Sequence, residues 1–214
     1  MTPINTLDDH AAIGTDVSIL QDIHLKTKNL AVYRRGITQL KGELAQVAKR
    51  PMECRANGTV EEIIFSLSSY LTNVLPEHVG LLGDILNLLE LFQQVTKVSS
   101  FRVSLATVST NMCSRFHADN NELRMLCTYY GPGTLWLPEN AVDRKAYLSG
   151  KGNQNIVPDK SLIQQVATGD VVVLKGALYP DSTPVLHRSP NIEESGEERL
   201  LLSIDPNQSL NLPI

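Results

Sequence analysis

The sequence predicts an α+β chain in which a layer of helices packs on a β-sandwich or small barrel. Three observations carry this expectation. Apolar residues recur at helical spacing through the first half. Strict alternation replaces that spacing near Ser99, where Phe101, Val103 and Leu105 alternate with Arg102 and Ser104. Turn signals then punctuate the second half: Gly131-Pro-Gly133, Gly150 to Gly152, Gly169-Asp170 and Tyr179-Pro180. A helical stripe and a two-faced strand each need a partner layer, and here each supplies the other's.

The elements follow in order. Leu30 to Arg35 reads as a short strand. Leu40, Leu44 and Val47 recur at helical spacing, and Pro51 ends that segment. Thr59-Val-Glu-Glu62 has the form of a capping box, with a hydroxyl at the N-cap and a carboxylate three residues on. Val60, Ile63, Ile64, Leu67, Leu71 and Val74 form the stripe behind it, with Pro76 as its stop. A third helix, about His78 to Val98, is apolar on most faces, so it should be buried. Strands are expected at Leu123 to Tyr130, Leu135 to Leu137, Val171 to Leu174 and Leu200 to Ile204. Asp143 to Lys160 reads as a loop with some helix. No repeat, low-complexity tract or linker divides the chain. Residues 1–214 are expected to form a single domain, with 1–98 as mainly helical support and 99–214 as the β-rich core.

Composition narrows the function. The 214 residues carry a net charge of −4, and aromatics make up 5%. Neither a basic excess nor a stacking platform invites nucleic acid. Met1 to His10 lacks a basic and an apolar region, so no secretory signal is expected. The most apolar stretch, Val79 to Val98, is interrupted by Asp84, Glu90 and Lys97 and is too polar to span a bilayer. An odd count of three Cys argues for a reducing compartment, and the expected location is the cytoplasm. No phosphate-binding P-loop and no G-x-S-x-G nucleophile elbow occurs.

The chemistry-bearing residues are His117-x-Asp119 and, much later, His187. His117 and Asp119 face one side of an extended segment. Two imidazoles and one carboxylate occupy one face of a metal and leave the opposite positions open, as non-haem Fe(II) oxygenation requires. Arg199 opens the apolar strand Arg199-Leu-Leu-Leu-Ser-Ile204. A buried guanidinium needs an anion, and the distal carboxylate of a 2-oxo acid fits its fork. Thr128 or Tyr129 could offer that carboxylate a hydroxyl, and parity alone does not choose between them. Cys113 shares parity with His117 and Asp119, so a Cys-His-Asp-His zinc site is a second possibility. Arg115 reads equally as a pocket cation or a solvated one, and Arg124 as an exposed or paired charge. Tyr130 and Trp136 read as pocket wall or core. His10, His24 and His78 lack a carboxylate at ligand spacing and read as surface or structural.

The set His117-x-Asp119, His187 and Arg199 resembles the pattern of the Fe(II)/2-oxoglutarate-dependent oxygenases. Gly131 to Trp136 resembles their glycine-rich turn, and Gly169 to Leu174 the strand before their second histidine. That resemblance covers about residues 100–205. It implies a double-stranded β-helix, a jelly-roll or cupin-like fold, with His117, Asp119 and His187 on Fe(II) and Arg199 on 2-oxoglutarate. A second resemblance spans most of the chain and is to a bacterial domain family of unknown function. Its genes often lie near zinc-homeostasis genes. The segments Cys113-Ser-Arg-Phe-His-Ala-Asp119, Leu126 to Thr134, Trp136-Leu-Pro138, Gly169 to Gly176, His187-Arg-Ser-Pro190 and Arg199 to Asp205 carry it. Two functions follow as expectations. One is an Fe(II)- and 2-oxoglutarate-dependent oxygenase acting on an unidentified small molecule or protein. The other is a non-redox zinc protein for metal handling or metal-assisted hydrolysis, using the same ligands with Cys113. An interaction module with a vestigial pocket is the third. The helical half would cover the barrel, line the pocket or form a homodimer.

Overall fold

Period-two alternation in four long strands organises the molecule, and everything else packs on their two faces. The structure, a computed structural model, describes residues 10–47, 50–75 and 77–207; Pro76 and Met1 to Asp9 lie outside them. The strands are β1 Ala11–Gly14, β2 Leu30–Tyr33, β3 Glu53–Gly58, β4 Phe101–Val108, β5 Leu123–Tyr130, β6 Leu135–Trp136, β7 Gln164–Gln165, β8 Val171–Lys175, β9 His187–Arg188 and β10 Arg199–Pro206. The α-helices are α1 Lys41–Val47, α2 Val60–Val74, α3 Val79–Thr96, α4 Arg144–Leu148 and α5 Asn153–Ile156. None of the described helices is long and apolar enough to cross a membrane.

The large sheet runs β1-β2-β8-β5-β10-β4-β3, and the small sheet runs β7-β6-β9. His117 extends the small sheet through an isolated antiparallel bridge to His187. From β4 onward the chain alternates between the large and small sheets, except that β6 and β7 follow one another within the small one. The central strands stand in the order β4-β10-β5-β8 in one sheet and His117-β9-β6-β7 in the other. These are two interlocked Greek keys, the double-stranded β-helix.

Three apolar clusters glue the layers. Leu67, Leu71, Ile85, Leu89 and Phe92 of α2 and α3 meet Phe101, Val103, Leu105, Met125 and Leu202 on the outer face of the large sheet. Leu126, Val172 and Leu174 on the inner face meet Trp136 and Val166. Phe116, Leu137, Ile156, Val157 and Leu186 close the far side of the small sheet. The capping box predicted at Thr59 is formed, with both reciprocal hydrogen bonds to Glu62.

The first 98 residues supply strands to the sheet as well as helices. Besides three α-helices they supply β1, β2 and β3, which widen the large sheet at both edges. β2 pairs with β8, and β3 with β4, so one hydrogen-bonded sheet crosses residue 98. The strand at Leu30 was legible. β3 was not, because its inward residues are only Cys54 and Ala56, too small to stand out as a period-two signal.

Candidate metal centre

Strand parity builds this site. Phe116 turns outward into the apolar cluster behind the small sheet, which leaves His117 facing the space between the sheets. His117 and His187 exchange both backbone hydrogen bonds at 3.0 Å, so their side chains stand directly opposite each other. Their ring centroids are 4.7 Å apart. Asp119, two residues on, places its Oδ1 3.6 Å from His117 Nε2 and its Oδ2 3.3 Å from His187 Nε2. One donor atom from each of the three lies within 4.8 Å of the others.

The protonation pattern suits a cation. His117 Nδ1 lies 3.0 Å from the Arg115 carbonyl, which can only accept, so Nδ1 carries the hydrogen. In the neutral ring Nε2 is then a bare lone pair aimed at a carboxylate. Asp119 Oδ2 is buried and has no hydrogen-bond partner among the described residues. A lone-pair nitrogen on His117 and the Asp119 carboxylate repel each other unless a metal or a proton sits between them. The hydrogen bond to Asp119 lifts His117 above the ordinary histidine range, although its burial opposes this. Burial also disfavours ionised Asp119. The two imidazoles and Arg124 outweigh it and hold the carboxyl well below the usual carboxylate range.

Arg124 decides which Asp119 oxygen is on offer. Its Nη1 donates to Asp119 Oδ1 at 2.7 Å, while Nε and Nη2 form a fork on Asp205 at 2.7 and 3.0 Å. Asn121 Nδ2 donates to the same Asp205 at 2.8 Å. Oδ1 is thus occupied and Oδ2 is left for a metal. The sequence marked Arg124 only as an exposed or paired charge, because its partner Asp205 lies a strand away.

Arg199 is 1% exposed and faces the same cleft. Its Nη2 donates to Thr128 Oγ1 at 2.8 Å and Thr134 Oγ1 at 3.1 Å, and its Nε is buried without a partner. No carboxylate faces it among the described residues, and burial pulls its pKa down to about 10. Gly131 and Gly133 permit this arrangement. A Cβ on either would strike backbone oxygens, at 2.0 Å on Glu198 and 1.9 Å on Val166, and Gly131 has φ +75°. The tight turn brings Thr134 to the guanidinium, a residue the sequence did not single out although it lies in the glycine-rich segment.

The structure separates the remaining candidates. Tyr129 is on the opposite face of β5, where its hydroxyl donates to Asp84 Oδ2 at 2.7 Å in the helix-facing core. It is out of reach of Arg199, and Thr128 alone of the two faces it. Cys113 is exposed and lines the cleft, but the three-atom ligand cluster does not include its Sγ. Arg115 turns away and donates to the carbonyls of Lys151 and Tyr147. Trp136 is core between the sheets, and Tyr130 is exposed. His24 is structural, held by Tyr179 Oη and the Val95 carbonyl, both at 2.9 Å.

No curated protein matches the chain. Solved structures of similar shape include dioxygenase for auxin oxidation 1 from Arabidopsis thaliana, solved with 2-oxoglutarate. It is 8% identical, with a TM-score of 0.46 over 95% of this chain and 94% of that one. A prolyl-4-hydroxylase from Pseudomonas putida is 12% identical, with a TM-score of 0.46 over 90% and 98%. A full-length protein of Neurospora crassa, solved in complex with alpha-KG, is 10% identical, with a TM-score of 0.43 over 89% and 78%. A family profile described as protein of unknown function (DUF1826) matches residues 14–205, which takes in every strand from β2 to β10 and all three metal-site residues. The chain belongs to that family.

Proposed function

We propose that this protein is an Fe(II)-dependent oxygenase that uses 2-oxoglutarate as co-substrate. One observation carries the reading: His117 and His187 of a three-residue cluster completed by Asp119 line the same cleft, of about 320 Å³, as a buried arginine without a carboxylate. A site with three protein ligands keeps positions open, and an uncompensated buried guanidinium marks where an anion binds. His117 Nε2, Asp119 Oδ2 and His187 Nε2 would hold the iron. Arg199, oriented by Thr128 and Thr134, would hold the distal carboxylate of 2-oxoglutarate. Bound together, Fe(II) and 2-oxoglutarate would let O₂ oxidise an unactivated C–H bond, the other two electrons coming from 2-oxoglutarate as it is decarboxylated to succinate.

The chain's own residues supply placement. The backbone bridge fixes the two imidazoles in register. The Arg115 carbonyl sets the His117 tautomer, and Arg124 keeps Asp119 ionised and one-sided. Thr128 and Thr134 aim a guanidinium that would otherwise rotate. The apolar contacts of Leu126 and Trp136 keep water from the inner end of the cleft.

The test is turnover of 2-oxoglutarate to succinate by Fe(II)-loaded protein in air. Wild type should turn over slowly without added substrate, and His117→Ala and His187→Ala should not. Zinc retained stoichiometrically after purification, with affinity lost in Cys113→Ser, would instead identify a closed site completed by movement of Cys113.

A further inference from the structure

We infer that the substrate of this site carries an oxyanion, a carboxylate or a phosphate, gripped by Arg55 and Arg102. These two lie on the floor of a groove leading away from the metal centre. The inference rests on the proposed function and names the substrate class of the same cleft.

The inner face of the large sheet changes character along its width. Over β8 and β5 it is apolar and covered by the small sheet through Val172, Leu174 and Leu126. Over β10, β4 and β3 it becomes polar and forms the floor of an adjoining cleft of about 420 Å³. Cross-strand register arranges that floor in rows. Arg55 lies beside Ser104, and Ser104 beside Ser203. Asn57 lies beside Arg102, and Arg102 beside Asp205. Asp205 is joined through Arg124 to the ligand Asp119. Neighbouring strands are ~5 Å apart, so Arg102 on β4 stands two strand widths, about 10 Å, from Arg124 on β5, which holds the ligand Asp119. That is the span of a small metabolite.

The two clefts share Arg55, Ser104, Arg124, Ser203 and Asp205, so they form one continuous groove. Five of the chain's ten arginines line it (Arg55, Arg102, Arg124, Arg188 and Arg199), and none of the described lysines does. A merely solvated sheet face would draw on lysine and arginine alike, and this chain is net acidic. Arginine alone, with serine and asparagine hydroxyl and amide groups between, is the composition that forks carboxylates and phosphates. Arg124 is engaged by Asp119 and Asp205, and Arg199 is assigned to the co-substrate. Arg55 has only an exposed partner, Glu53 at 2.7 Å with the two side chains 77% and 62% accessible, which holds it weakly. Arg102 is exposed with no carboxylate contact at salt-bridge distance among the described residues. Arg188, at the metal end, is held by the Ser189 carbonyl, Asn191 Oδ1 and the Phe116 ring, so Arg55 and Arg102 are the exposed cations available to a second anion at the outer end of the groove.

The test uses Mn(II)-loaded protein saturated with 2-oxoglutarate. Inorganic phosphate and carbon-13-labelled acetate are the probes, with labelled methanol as the neutral control. Nuclear relaxation of each probe reports approach to the metal without any turnover. The inference predicts enhancement for phosphate or acetate but not methanol, and the stronger of the two names the anion. The Arg55→Ala/Arg102→Ala double variant should weaken that binding at least tenfold, and Arg55→Lys/Arg102→Lys should retain a part. Both arginines are exposed, so circular dichroism should show an unchanged fold. Equal enhancement in wild type and the double alanine variant, or none in wild type, would overturn the inference. If Mn(II) does not bind, calorimetry of phosphate or acetate with the metal-free protein replaces relaxation. Anion binding lost in the double alanine variant would then uphold the groove while refuting the metal reading.

Discussion

Arg35, half-buried, and Arg199, fully buried, lie against opposite faces of the large sheet, and they are finished differently. On the helix-facing side Arg35 donates to both oxygens of Asp84, at 2.6 and 2.8 Å, and to the Gly169 carbonyl at 2.9 Å. Tyr129 completes Asp84 from β5. Burial alone would weaken the Arg35 cation, but Asp84 reverses this and raises its pKa. On the cleft side Arg199 meets two threonine hydroxyls, keeps an orphaned Nε, and stays depressed by its burial. A guanidinium with its carboxylate built in ties α3 to the sheet; one without it is, on the proposed function, a socket. The difference teaches that burial alone does not mark function. The missing counter-charge does.

The largest break in the comparison comes from deleting each cation. Arg35→Met should cost about 3 kcal/mol in urea denaturation, because the half-buried Asp84 loses its guanidinium and keeps only the Tyr129 hydroxyl. Arg199→Met should lie within about 1 kcal/mol of wild type, since it strands no opposite charge. A loss for Arg199→Met equal to that for Arg35→Met would make Arg199 structural.

Next in size is the response to ligand. With metal present, 2-oxoglutarate at 100 times its Kd should stabilise wild type by about 2.7 kcal/mol. Arg199→Met, binding about 30-fold or more weakly, should keep at most about 0.9 kcal/mol of this at the same concentration, while a destabilised Arg35 variant that still folds should show all of it. Thermal shift reads both.

Tyr129→Phe sharpens the contrast between neighbours on one strand. It removes a hydrogen bond to an ionised group and should cost about 1.5–3 kcal/mol in stability with 2-oxoglutarate affinity unchanged. Thr128→Val should do the reverse, weakening affinity several-fold with little loss of stability.

The smallest effect concerns thiols. Cys113 lies on the open cleft, whereas Cys127 is fully buried on the helix side, where burial pushes its thiol up to about 12. Iodoacetamide at pH 8 should therefore label Cys113 in the folded protein and spare Cys127 and the buried Cys54. Mass spectrometry counts the adducts, and a labelled Cys127 would mean that the helix layer opens.

The same two faces explain what the sequence disclosed. β4, β5, β8 and β10 were legible because each presents large apolar residues to at least one core. His117, Asp119 and His187 stood out because their side-chain types can ligate a metal, the first two at short spacing and His187 far along the chain. The choice between Thr128 and Tyr129 was not. It depends on how β5 registers against β10, where the pairing shifts between Leu200 and Leu201, and on which face a helix 45 residues distant in sequence covers. Arg124 was underestimated for the same reason: its role follows from Asp205, which only the strand pairing brings near. β3 escaped because Cys54 and Ala56 give little hydrophobic contrast. Side-chain identity travels with the sequence, whereas partnership depends on register.

Anaerobic titration of Fe(II)-loaded protein with 2-oxoglutarate tests the central claim most directly, that Arg199 and the three ligands form one site. The account predicts a visible charge-transfer band that saturates in wild type. In Arg199→Met the band should appear only at about 30-fold or higher 2-oxoglutarate concentration, the loss expected when a buried arginine–carboxylate pair is broken. A wild type with no band, or a variant that saturates at the wild-type concentration, would contradict it.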